Sequence, residues 1–165
     1  MNPAQQTASV VQPPASVAST ATTTCTFDTI GTGGIKYDYA VVRVFSGTQA
    51  TTDPAITVLK LTESDDATTY AAITGLTGGT AANTSSFFVI PAVTVSGLGC
   101  GIELQIDLRK RKRYLKLNIT PGTTLVLGAH VELSRAKETP ITAAQKSVSN
   151  SAATNVTGVA TLVQI

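Results

Sequence analysis

The chain has 165 residues and a mass of 17.0 kDa, enough for one ordinary domain with a single core. Apolar residues make up 42% and charged residues 13%, against about 25% charged in a typical domain. The 12 Lys+Arg and 10 Asp+Glu leave a net charge of +2, which gives no field for indiscriminate nucleic-acid binding. No apolar run approaches the roughly 20 residues needed to span a bilayer. The start, Met1-Asn2-Pro3-Ala4-Gln5-Gln6, lacks a basic segment followed by an apolar one, so no secretory signal is read. One His and two Cys leave little acid–base or metal chemistry.

Residues 1–23 carry Pro3, Pro13 and Pro14, many Ala, Ser, Thr and Gln, and no charge. Such a segment cannot by itself bury enough apolar area to offset its ordering entropy. It reads as an extended, low-complexity N-terminal arm, either disordered or ordered by lying on a neighbour.

From residue 24 the hydrophobic period becomes two. Thr24 to Ile30 alternates and predicts a strand, and Gly31-Thr32-Gly33-Gly34 a turn. Tyr37 to Phe45 is rich in aromatic and β-branched residues, with Tyr37, Tyr39, Val41, Arg43 and Phe45 expected on one face. Ile56 to Thr62 is the next strand, followed by an acidic turn over Glu63 to Thr68. Thr69 to Ile73 predicts a short strand, Gly75 to Ser85 a loop, and Ser86 to Ile90 a strand closed by Pro91. Val93 to Val95 has the composition for a brief pairing. Ile102 to Leu108 and Tyr114 to Thr120 alternate strictly on either side of a basic tip. Leu125 to Leu133 is the last long strand, with Leu125, Leu127, Ala129, Val131 and Leu133 as its inward set.

No stretch holds a 3.6-residue pattern over eleven or more positions, though Ile141 to Ser147 has room for a helical turn or two. The tail after Arg135 is again Ser-, Thr-, Ala- and Asn-rich and ends in a potential added strand over 159–165. About eight short strands with frequent turns predict an all-β fold, an antiparallel β-sandwich or jelly-roll with extended N- and C-terminal arms. The expected division is an arm at 1–23, the sandwich at 24–135 and a C-terminal tail at 136–165.

The basic tip Arg109, Lys110, Arg111, Lys112 and Arg113 is the strongest chemical signal. It is able to grip phosphates or an acidic protein surface, or to serve as a solvated hairpin tip whose charges discourage edge pairing. An acidic protein patch is favoured over nucleic acid, because no aromatic residue interleaves the cluster. The acidic turn carries Glu63, Asp65 and Asp66 without the spacing of a calcium loop, and reads as a polar turn. Its sign allows head-to-tail contact with the basic tip of another copy. These eight residues are the candidate protein-contact positions.

His130 is read as a surface or interface residue on the polar face of its strand, since nothing marks a nucleophile for a triad. Cys25 and Cys100 are expected as two buried thiols rather than a disulfide. Asn83, Asn118 and Asn155 open chance glycosylation sequons. No enzymatic constellation and no cofactor or metal site is read.

Three blocks carry a resemblance: Tyr37-Asp38-Tyr39-Ala40-Val41, Leu59 to Asp66, and Asp107-Leu108-Arg109-Lys110-Arg111-Lys112-Arg113-Tyr114-Leu115-Lys116-Leu117. The stretch from Tyr37 to Leu133 resembles small proteins encoded beside the major capsid protein of tailed bacteriophages. Their recurring pattern reads DLRGRKRYLKL, and Lys110 stands here where Gly is common. The resemblance implies a cement or decoration protein on the virion's capsid surface, assembled in the host cytoplasm. It also implies the major capsid protein and further copies of the chain, as a homotrimer, as partners, with no membrane. A glycan- or host-surface-binding sandwich of a phage tail or neck is the alternative. For that reading Tyr37, Tyr39 and Tyr70 are the only aromatic candidates.

Overall fold

The computed structural model describes residues 7–31, 34–48, 56–80, 88–90, 97 and 99–137. These form nine strands: β1 (Ala8–Val17), β2 (Thr23–Asp28), β3 (Tyr37–Ser46), β4 (Ile56–Ser64), β5 (Ala71–Gly79), β6 (Phe88–Val89), β7 (Gly101–Asp107), β8 (Tyr114–Pro121) and β9 (Leu125–Ala136). A four-stranded sheet of order β1-β9-β3-β7 packs against a five-stranded sheet of order β2-β8-β4-β5-β6. The chain is all-β over the described residues, and the architecture is a β-sandwich. All pairings are antiparallel except the short parallel contact of β5 with β6. The predicted elements at 93–95, 141–147 and 159–165 lie outside the described residues.

Alternation explains the core. On β9 Leu125, Leu127, Ala129, Val131 and Leu133 are all buried, as their spacing predicts. On β8 Leu115, Leu117 and Ile119 point inward, facing Cys25 and Phe27 of β2 and Leu59 and Leu61 of β4 within the same layer. On β3 the buried set is Ala40, Val42 and Val44. Tyr39, Val41, Arg43 and Phe45 share the outer face, and Tyr37, expected with them, is fully buried at the strand's start. A strand apolar on both sides carries no unique orientation, and here the smaller residues fit between the sheets.

Two departures concern the ends of strands. Residues 8–17 of the expected arm form the edge strand β1, paired with β9 from Ala8↔Leu133 to Val17↔Leu125. Pro13 and Pro14 fall where the register shifts between Gln12 and Ala15, at an edge where missing amide donors cost little. β5 runs on to Gly79 through the stretch expected as a loop. The Phe88 ring lies directly over Gly78, where any Cβ would overlap it.

Most connections change sheets. Only β4 to β5 and β5 to β6 join neighbours of one sheet. The Leu108–Arg113 turn, expected as a hairpin tip, is instead a corner leading from β7 in one sheet to β8 in the other.

Candidate functional site

The corner at Leu108–Arg113 lies at the end of the sandwich where β2, β4, β7 and β9 finish and β3, β5 and β8 begin. Leu108 is its buried anchor; its amide donates to the Asp38 carbonyl at 2.8 Å, and its carbonyl accepts from the Arg111 amide at 3.0 Å. Lys110 is not among the residues with positive φ, so this turn has no need of the glycine common at that position.

Four of the five basic residues are engaged with acids of the same chain. Arg109 forks onto Asp107, with Nη2–Oδ2 at 2.6 Å. Arg111 reaches Glu63 at 3.6 Å, and the Lys112 ammonium meets Asp65 at 2.7 Å while its amide donates to Glu63. Arg113 grips Asp28, the last residue of β2, through Nε to both oxygens at 3.1 Å and Nη2 at 2.9 Å. Lys110 makes no ion pair among the described residues. The basic corner and the acidic turn, expected to meet between copies, thus meet within one chain. The corner ties together the ends of β2, β4, β7 and β8.

Asp66 plays a different part. Its Oδ1 accepts from the Ser64 hydroxyl at 2.7 Å and from the Thr69 and Thr68 amides at 2.8 and 2.9 Å. These donors hold its carboxyl well below the ordinary range, and they fix a turn that includes Ala67 at φ 61°. The Arg109 guanidinium, chiefly through its hydrogen bonds, lowers Asp107 to about 2. Burial pushes the Tyr37 hydroxyl up to about 12, and that hydroxyl is buried without a hydrogen-bond partner.

The lowered carboxyl groups set a pH dependence. Their ordinary values lie near 3.9, so their contribution to stability is complete above about pH 4 and is lost as pH falls through the folded values. The thermal midpoint should be flat from neutral pH to about 5 and drop below about 4. Asp66→Asn should flatten that acid limb, and thermal unfolding at a series of pH values checks it. An acid limb unchanged by the substitution would remove Asp66 from the account.

Aromatic rings complete this end. The guanidinium groups of Arg109 and Arg135 each lie 5.4 Å from the Tyr39 ring centroid, and Arg113 lies 4.9 Å from that of Tyr114. Along the outer face of the four-stranded sheet, Arg43 bridges Glu103 at 3.0 Å and Glu132 at 3.1 Å. His130 is beside Arg43 in the β3–β9 register. Cys25 and Cys100 are both free; burial raises the Cys25 thiol to about 12, and Cys100 is half-buried beside Ser46. Among the described residues no three His, Cys, Asp or Glu side chains gather as a metal-binding group.

The individual clusters were visible in the sequence, but Asp28 as the partner of Arg113 was not. Its only local signal is an acid closing an apolar strand. No protein-family profile matches the chain, and no curated protein is similar to it.

Proposed function

We propose that the chain is a structural virion protein that binds the assembled capsid shell and stabilises it, a cement or decoration protein acting through subunit–subunit contacts. The strand order carries this reading. β1-β9-β3-β7 opposite β2-β8-β4-β5 interleaves strands from the two ends of the chain, and nearly every step crosses between sheets. A jelly-roll, two interlocked Greek keys, has this order, and viral capsid domains are among the proteins built on it. The Asp107–Leu117 block that resembles capsid-associated proteins makes the corner between the sheets.

Closure of the corner's charges inside one chain leaves shell contact to uncharged surfaces. Among the described strands β7 is the edge best suited to it, its Glu103 and Asp107 being paired within the chain. Seven residues run in unbroken register with β3, without Pro, Lys or a bulge to block a further strand. The partners on this reading are the major capsid protein and other copies of the chain as a homotrimer. Repetition over a lattice multiplies weak contacts into avidity, and preferential binding to the assembled shell stabilises it by mass action.

Light scattering behind a sizing column should give three chain masses at both low and high salt, because four of the five corner cations are already paired. Mixed with assembled shells of its own virus, the chain should pellet with them and raise their thermal midpoint. Free chain left in the supernatant, with a monomer mass in solution, would overturn the proposal.

A further inference from the structure

The outer face of the five-stranded sheet carries a groove of about 330 Å³ that the shell-binding reading does not use. That volume falls at the lower end of small-ligand clefts, about 300–1,000 Å³. We infer that it is a binding site for an acidic sugar, a polyhydroxylated ring bearing a carboxylate.

Strand alternation builds the site. The inward residues of β4 and β8 are aliphatic, so the intervening positions Lys60, Lys116, Asn118 and Thr120 all stand on the outer face. Lys60 pairs in register with Asn118, which puts Lys116 at its diagonal, about 7–8 Å away in an antiparallel ladder. Neither lysine makes an ion pair among the described residues, and no acid lines the groove. With no acid in the groove, both positive charges favour a bound carboxylate. At the corner and around Arg43 acids stand beside the cations, whereas this groove offers its two lysines none.

The remaining groups select a sugar over a bare anion. Asn118 donates Nδ2 to the carbonyls of Lys60 and Lys116 and to the Thr62 hydroxyl, at 3.2 to 3.3 Å. That fixes the amide and leaves its Oδ1, without a partner among the described residues, to accept from a ligand hydroxyl. The Thr120 hydroxyl, held at 2.8 Å from that of Thr22, adds a second polar contact. Val58, 38% exposed, gives the C–H face of a sugar an apolar wall. Tyr70 lines the groove, its ring 3.7 Å from the Lys116 ammonium. A sugar's ring hydroxyls both donate and accept, so one ring can meet the Asn118 oxygen and the threonine hydroxyls together.

The test titrates the full chain with a galacturonic acid trisaccharide, with a neutral galactose trisaccharide, with sodium sulfate and with triglutamate, read by calorimetry and amide NMR shifts. The expected result is saturable binding of the uronate alone, with shifts centred on Lys60, Tyr70, Lys116 and Asn118. Lys60→Ala and the stem-preserving Lys60→Gln should each weaken it about tenfold, the loss of one charge-assisted contact. Lys36→Ala, a lysine outside the groove, should bind as the parent does, and thermal unfolding identifies any variant that fails to fold. Absence of saturable uronate binding, or unchanged binding in both folded Lys60 variants, overturns the inference. Equal affinity for sulfate overturns it in favour of a bare anion site, equal affinity for triglutamate in favour of an acidic peptide. Equal affinity for the neutral trisaccharide removes the lysines' role and overturns it as well. Shell binding and oligomeric mass are measured separately, so either reading is able to fail alone.

Discussion

Leu117→Ala is expected to lower the unfolding free energy by about 3 kcal/mol, within the 2–5 kcal/mol range of buried Leu truncations. Leu117 is fully buried on β8, between Cys25 of β2 and Leu61 of β4 in register. β8 is an interior strand with a partner on either side, so the backbone around the missing side chain has little freedom to collapse inward. In a domain of this size the thermal midpoint should fall by about 6–12 °C. Urea unfolding should show a lower midpoint with an unchanged slope. Leu117→Met, which nearly conserves volume, should cost less than about 1.5 kcal/mol. If the Ala variant costs no more than the Met variant, the tight layer at β8 is not as described.

Arg113→Met is expected to cost about 1–2 kcal/mol, for a different reason. The Asp28 carboxylate is only 10% exposed and, besides Arg113, accepts one amide bond, from Ile30 at 2.8 Å. Removing the guanidinium strands a nearly buried charge. Breaking a buried pair from one side costs about 3–5 kcal/mol, and the 48% exposure of Arg113 reduces this because water reaches its place. Adding Asp28→Asn should recover most of the loss, since the neutral amide no longer needs the cation. Urea denaturation of the four proteins gives the coupling energy directly. Additive losses would mean that the pair contributes only as two separate surface groups.

The sandwich was legible in the sequence wherever one face of a strand was plainly apolar and the other polar. β7, β8 and β9 have that pattern, and the inward set of β9 follows from spacing alone. β1 does not: Ala8, Val10 and Gln12 are buried positions of a segment whose composition resembles a linker. Its pairing depends on β9, far away along the chain, and no local signal encodes that. β3 was legible as a strand but not in its orientation, because both of its faces are apolar. The two charged clusters of the candidate site were each evident. Their meeting was not, since it follows from the sheet change at Leu108–Arg113, and a charged turn looks the same whether it closes a hairpin or turns a corner. The lysine groove was hidden for a simpler reason: its residues are the ordinary outward positions of β4 and β8 until the two strands are paired.

The pairing of β1 with β9 sets an order of events during synthesis. Ala8 leaves the ribosome long before its register partner Leu133. At about 5–20 residues per second the delay is roughly 6–25 s. Thr23 of β2 waits in the same way for Ile119, and Tyr37 of β3 for Ala136. Among the named strands only β4, β5 and β6 pair with neighbours in the chain, so they alone can pair early. The nascent protein therefore carries three unpaired strands with apolar faces through most of translation, and its folding is a late, collective step of high contact order. Yield in cells should accordingly respond to the rate of elongation and to holdase chaperones more strongly than the stability of the finished sandwich would suggest.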